Sequence, residues 1–162
     1  MAITLNIRRQ PYEEPNHTQL FITVSNGLFA GSLDIYCNVE DIAAIGRNLK
    51  AFPTKAGDEY LYQYGSEAPE MRWYRHFVFR AYTVGSLGQC AVQIIMNRNE
   101  TGVNDAACRF SFPVEAGALN RLGRLLERFG ALEHLELEWS PSAGRLYETH
   151  QQPITPPWIP AC

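Results

Sequence analysis

The sequence predicts an α+β domain, a mainly antiparallel sheet of about seven to eight strands with two helices packed on one face. Three observations point there. Short apolar–polar alternations fill most of the chain, hairpin-type turns join them, and only two stretches hold helical spacing, each with one apolar stripe.

Ile3, Leu5 and Ile7 alternate with polar residues, the period of a half-buried strand. Pro11 and Pro15 punctuate a loop. Leu20, Ile22 and Val24 define a second strand, and Leu33, Ile35 and Cys37 a third. Between them Asn26-Gly27 reads as a tight hairpin turn whose two central positions need positive φ. Asn38 stands as a helix N-cap with Asp41 three residues on, where a carboxylate meets unpaired N–H groups. Ile42, Ile45, Leu49 and Phe52 keep helical spacing until Pro53 stops it.

The middle of the chain is all strand. Asp58 to Gly65 alternates three tyrosines against Leu61 and Gln63. Trp73 to Val84 is long and aromatic, and Gly85-Ser86-Leu87-Gly88 turns it back into Gln89 to Asn97. The polar stretch Asn97 to Asn104 turns again into Ala106 to Val114. A second helix starts near Pro113, carries the stripe Leu119, Leu122, Leu125, Leu126 and Phe129, and ends at Gly130. Leu135 to Trp139 is the last strand. No internal repeat is evident.

Residues 1–140 thus read as one α+β domain and 141–162 as a proline-rich tail, which holds five of the ten prolines. Pro153-Ile154-Thr155-Pro156 has the spacing that proline-recognition domains read. With Trp158 and Ile159 beside it, the expectation is that the tail docks along its own domain or is plainly disordered, rather than binding such a domain.

Composition narrows the function. With 46% hydrophobic and 19% charged residues the chain is not disordered, and a net charge of −3 lacks the basic excess of a general nucleic-acid binder. No secretion signal or membrane-length apolar run is present, and four scattered cysteines read as reduced thiols, so a cytoplasmic location is expected. The Gly85–Gly88 turn lies between strands and lacks the helix N-terminus that would hold a phosphate. No nucleophile-elbow pattern occurs either. His134, Glu136 and Glu138 alternate along a strand and are legitimate metal ligands, but a half-buried strand shows the same polar face. Cys90 or Cys108 beside His76 would make a nucleophile pair, yet both thiols read as core. No metal or cofactor is expected.

The open sheet face is more informative. Asp34, Tyr36, Tyr74, His76, Arg80, Tyr82, Gln93 and Arg109 fall on the polar sides of their strands, so one wet face opposite the helices would carry all eight. Exposed tyrosine and arginine are the residue types of interface hot spots, although the same cross-strand pairs also stabilise ordinary sheets. Arg121, Arg124 and Arg128 line the second helix in one basic stripe, which reads as a solvated face.

The stretch Ala118-Leu119-Asn120-Arg121-Leu122-Gly123-Arg124-Leu125-Leu126, with the strand–helix passage Asp34-Ile35-Tyr36-Cys37-Asn38, resembles small cytosolic bacterial immunity proteins of polymorphic toxin systems. The resemblance spans roughly Leu20 to Trp139 and implies inhibition of one cognate toxin by surface occlusion. It carries over no individual site residue. The proline-rich tail and the mild net charge depart from the pattern. The expectation is a non-enzymatic protein-binding domain of immunity type, with one cognate protein partner, no nucleic acid, no membrane, and self-association left open. The alternative is a small-molecule-binding or hydrolytic domain, with a pocket on the sheet face, His76 as acid–base and Arg80 or Arg109 holding an anion.

Overall fold

A computed structural model describes residues 2–71 and 74–151. The element order is β1 (Thr4–Gln10), β2 (His17–Ser25), β3 (Ala30–Asn38), α1 (Val39–Lys50), β4 (Glu59–Tyr64), β5 (His76–Val84), β6 (Gln89–Asn97), β7 (Ala107–Val114), α2 (Ala116–Phe129), β8 (Glu136–Ser140) and β9 (Ala143–Tyr147). The α+β class and the antiparallel pairing agree with the sequence. The single sheet does not: the strands form a five-stranded sheet A, β3-β2-β1-β8-β9, and a four-stranded sheet B, β4-β5-β6-β7. The ninth strand, β9, lies within the segment read as tail and pairs with β8 from Glu136↔Tyr147 to Ser140↔Ala143. The prolines from 153 onward and Cys162 lie outside the described residues.

The two sheets arise from a repeat that inspection of the sequence missed. Each half of the chain runs as a three-stranded antiparallel meander, a helix and one more strand: β1 to β4, then β5 to β8. The strand after each helix crosses to the other half's sheet, so β4 completes sheet B and β8 completes sheet A. The helices show the kinship directly. Ile45-Gly46-Arg47-Asn48-Leu49-Lys50-Ala51-Phe52 matches Leu122-Gly123-Arg124-Leu125-Leu126-Glu127-Arg128-Phe129 in glycine, arginine, leucine and phenylalanine at a constant offset.

One core joins both halves. The inward rows of sheet A (Leu5, Ile22, Ile35 and their neighbours) and of sheet B (Phe79, Val92, Phe112 and theirs) meet the stripes of both helices in a continuous apolar cluster. The predicted stripe of α2 is buried along its whole length. Asn120 on α2 donates to the carbonyls of Leu49 (3.0 Å) and Phe52 (2.7 Å), closing the C-terminus of α1.

Two local expectations are corrected. The Asn38 side chain makes no cap bond; the first turn of α1 is instead met by Val39 N–H donating to Asn16 O at 2.9 Å. The β2–β3 hairpin is a four-residue loop in which Gly27 has positive φ, and the Asn26 side-chain oxygen accepts from Leu28 N–H (2.9 Å) and Phe29 N–H (2.8 Å). That leaves the Asn26 amide free to reach across to Ser111 O on β7, at 3.1 Å.

Candidate functional site

Division into two sheets breaks up the proposed face. His76, Arg80, Tyr82, Gln93 and Arg109 lie on the outer side of sheet B. The register aligns Gln63, Val78, Ile95 and Arg109 in one row, and Leu61, Arg80, Gln93 and Ser111 in the next. Asp34 and Tyr36 belong instead to β3, the edge strand of sheet A. Tyr74 stands just ahead of β5, outside the long strand expected from Trp73, which itself lies outside the described residues.

The sheet B group is largely self-satisfied. Arg80 donates to both oxygens of Glu59, at 2.8 and 3.4 Å, and its guanidinium lies 4.2 Å from the Tyr82 ring centre. The hydrogen bond from Arg80 holds the Glu59 carboxyl below its ordinary range. His76 is buried, with Nδ1 3.4 Å from a Glu67 oxygen and Nε2 3.5 Å from the Gln63 amide. Neither thiol proposed as its partner is near it in the sheet. Cys90 pairs with Thr83 at the far end of the β5–β6 ladder, and Cys108 pairs with Met96 and points to the other side.

Asp34, Tyr36 and Tyr74 come together at a different place, the seam where β3 passes the end of sheet B. The Tyr64 hydroxyl accepts the Tyr36 N–H at 3.3 Å, tying the edge of one sheet to the other. Tyr12, from the β1–β2 loop, meets the Tyr36 ring edge-on with centroids 6.0 Å apart, and Tyr64 meets Tyr74 likewise at 6.4 Å. Tyr12, Tyr36 and Tyr74 are 54%, 47% and 54% exposed, so one tyrosine strip about half open to solvent follows the seam.

A charged frame holds the strip. Arg75 donates to Asp34 at 3.4 Å, to Glu100 at 2.6 Å and to the Arg98 carbonyl at 3.0 Å, while Gln19 donates to Asp34 at 3.4 Å. The hydrogen bond from Arg75 is the main reason the Glu100 carboxyl titrates below its ordinary range. Burial, then Asp34 and the Tyr12 ring, raises the Tyr36 phenol, so it stays neutral at physiological pH. Asn99 donates to the carbonyls of Ser66 (2.8 Å) and Tyr74 (2.7 Å), fixing the loop beneath Tyr74. Gly65, at φ +68°, is needed here because a Cβ would strike the Arg75 carbonyl. Beside the strip a groove of about 180 Å³ runs between Arg8, Phe21, Asp34 and Arg98.

Tyr12 and Arg75 were missed in the sequence, whereas the Tyr60-Tyr62-Tyr64 ladder reads there as an extension of the open face or of the edge beside it. Tyr12 stands in a loop with no periodicity to mark it, and Tyr64 and Arg75 are recruited by a crossing of sheets that no local pattern records.

Among the described residues no group of three His, Cys, Asp or Glu side chains comes together to hold a metal ion. Glu136 is 1% exposed and accepts from Asn6 at 3.0 Å, and Glu138 accepts from the Tyr147 hydroxyl at 2.7 Å. On the helix stripe, Arg121 donates to the carbonyls of Ser140 and Pro141, whereas Arg124 and Arg128 are exposed. No helix among the described residues is long and apolar enough to cross a membrane.

No family model, no curated protein and no solved structure matches the chain.

Proposed function

We propose that this chain is a protein-recognition domain of the immunity-inhibitor kind, engaging one cognate protein through the tyrosine strip of the seam. The carrying observation is that Tyr12, Tyr36 and Tyr74, linked through Tyr64, are each about half exposed and each braced by a ring or backbone contact. Tyrosine offers large contact area with few rotors to freeze, so a braced row loses little entropy on binding. The surrounding charges already satisfy one another, so a partner covering the strip need not strand them. Asp34 and Arg75 then set orientation at the rim.

The test is affinity capture from source cells with three baits: the unmodified chain, Tyr36→Ala/Tyr74→Ala, and Arg80→Ala/Tyr82→Ala on the outer face of sheet B. One stoichiometric partner held by the first and third baits and lost from the second supports the reading. Hot-spot tyrosines cost about 2 kcal/mol or more each on truncation, a loss large enough to empty the beads. A partner lost only from the third bait moves the interface to sheet B. No partner for a folded bait sinks the reading.

A further inference from the structure

The far side of sheet A from the seam carries a feature that the recognition strip does not use. Two cross-strand rows stand on its outer face over β1, β8 and β9: Asn6, Glu138 and Arg145 form one wall, and Thr4, Ser140 and Ala143 the other. Between them lies a channel of about 560 Å³, floored by the backbone row of Leu5, Trp139 and Gly144.

Asn6 already donates to Glu136 at 3.0 Å and the Ser140 hydroxyl is engaged with Ala143, which leaves Arg145 and Thr4 as the donors the walls offer. The Arg145 guanidinium rests 4.7 Å over the Tyr147 ring and has no carboxylate partner among the described residues. The Glu138 carboxylate, by contrast, is already engaged by the Tyr147 hydroxyl. An extended segment rich in backbone carbonyls and apolar side chains, and free of charge, is the chemistry that fits.

The chain itself delivers such a segment to the mouth of this channel. After β9 it turns back over the sheet. His150 Nε2 sits 2.7 Å from the Arg9 carbonyl, and Gln151 N–H donates to the buried Glu136 carboxylate at 3.0 Å. Glu136 is in the row next to the Asn6–Glu138–Arg145 wall, about 7 Å away at the rise of a strand. The residues that follow, Gln152 to Cys162, carry no charged side chain, four prolines without N–H groups, and Ile154, Trp158 and Ile159. Spanning the three strands takes about 10 Å, or three to four residues of a proline-type extended chain.

We infer that this channel is the seat of the chain's own segment 152–162. The channel offers Arg145 and Thr4 as donors for the carbonyls of that segment, and its floor of Leu5, Trp139 and Gly144 for the apolar side chains. Proline restricts the segment before docking, so little chain entropy opposes the contact. The outer face of sheet A at β1, β8 and β9 is then closed to other partners, and recognition is left to the seam at the opposite edge.

The experiment is fluorine NMR of the full chain labelled with 5-fluorotryptophan, in which Trp73, Trp139 and Trp158 each give one resonance. Trp158→Phe assigns the third. A docked segment places the Trp158 resonance away from its random-coil position, at the same shift over a hundredfold range of protein concentration. Thr4→Arg/Ala143→Arg, both exposed positions on the channel wall, then returns it to random coil while the Trp139 resonance stays in place. Should that pair disturb Trp139, Ala143→Arg alone replaces it. A random-coil Trp158 in the unmodified chain overturns the inference, as does a shifted resonance indifferent to the wall variants. A shift that appears only at high concentration assigns the channel to a second copy and overturns it too.

Discussion

Gly46 and Gly123 stand back to back where α1 crosses α2. A Cβ on Gly46 would lie 2.8 Å from the Gly123 carbonyl oxygen, and a Cβ on Gly123 2.7 Å from that of Gly46. The two glycines hold equivalent places in the two halves of the chain, so the repeat meets itself at this crossing. The nearest atom in each case, Glu127 N for Gly46 and Lys50 N for Gly123, is also backbone and cannot swing aside.

Alanine at either position must therefore part the helices. Overpacking of this kind costs about 1–3 kcal/mol, more than the ~0.5–1 kcal/mol that alanine gains over glycine inside a helix. Gly46→Ala and Gly123→Ala are expected to lower the urea midpoint. Gly117, on the same helix with open space where a Cβ would go, is the control, and Gly117→Ala is expected to leave the midpoint level or raise it. Equal behaviour of all three variants would contradict the close crossing.

A second prediction concerns Arg9, which is 3% exposed at an inward position of β1. Its guanidinium donates to both oxygens of Glu14 at 2.5 Å and to the carbonyls of Leu132 (3.1 Å) and His134 (2.8 Å), while the Thr18 hydroxyl donates to Glu14 at 2.8 Å. Arg9→Met strands the Glu14 carboxylate and two carbonyls. A loss of about 3–5 kcal/mol is expected, by chemical denaturation, because an unpaired buried charge is left behind. Arg9→Met/Glu14→Gln is expected to recover part of it, since the stranded charge is gone.

Acid sensitivity follows from the carboxylates of the seam and the β4 edge. Glu100 is lowered mainly by Arg75, Glu59 by Arg80, and Asp58 by the Thr54 N–H. A carboxyl whose folded pKa is below its unfolded one stabilises the fold above the unfolded value and loses that contribution as pH falls through the folded value. Melting temperature is therefore expected to decline from about pH 4.5 downward, the ordinary glutamate range. Arg75→Met should flatten that decline, and an unchanged slope would remove the Arg75–Glu100 pair from the account.

Thiol labelling gives a fourth. Burial, with Asp41 adding to it, pushes the Cys37 thiol up to about 12, and burial also raises Cys90 and Cys108. Only thiolate reacts, so all three are sluggish at pH 8. Cys37 and Cys90 are buried and Cys108 is partly exposed. Maleimide mapping of the folded chain is expected to find Cys108 modified first of the three, and Cys37 only after unfolding.

Most elements were legible from the chain because their signals are local. Alternation in Leu20, Ile22 and Val24, or the stripe Leu119 to Phe129, states which side of a segment is buried whatever it packs against. Strand β9 escaped because Ala143-Gly144-Arg145 shows no alternation. Its place is fixed by pairing with β8, and by Gly144, where a Cβ would strike Leu125 of α2. The repeat escaped because its matching residues are few and its purpose, the meeting of Gly46 and Gly123, is visible only when the helices cross.

The composition and periodicities of this sequence settle its class: an antiparallel α+β domain with two amphipathic helices. Which strand joins which sheet was settled by assembly, because a segment's period names its buried face but not its neighbour. A strand leaving α1 could pair with β1 or cross to β5, and the crossing is taken because the two halves bury one core between them. That exchange turns one expected sheet into two. It parts Arg80 and Tyr82 from Asp34 and Tyr36, and brings Tyr12, Tyr64 and Arg75 to the seam where the tyrosine strip stands.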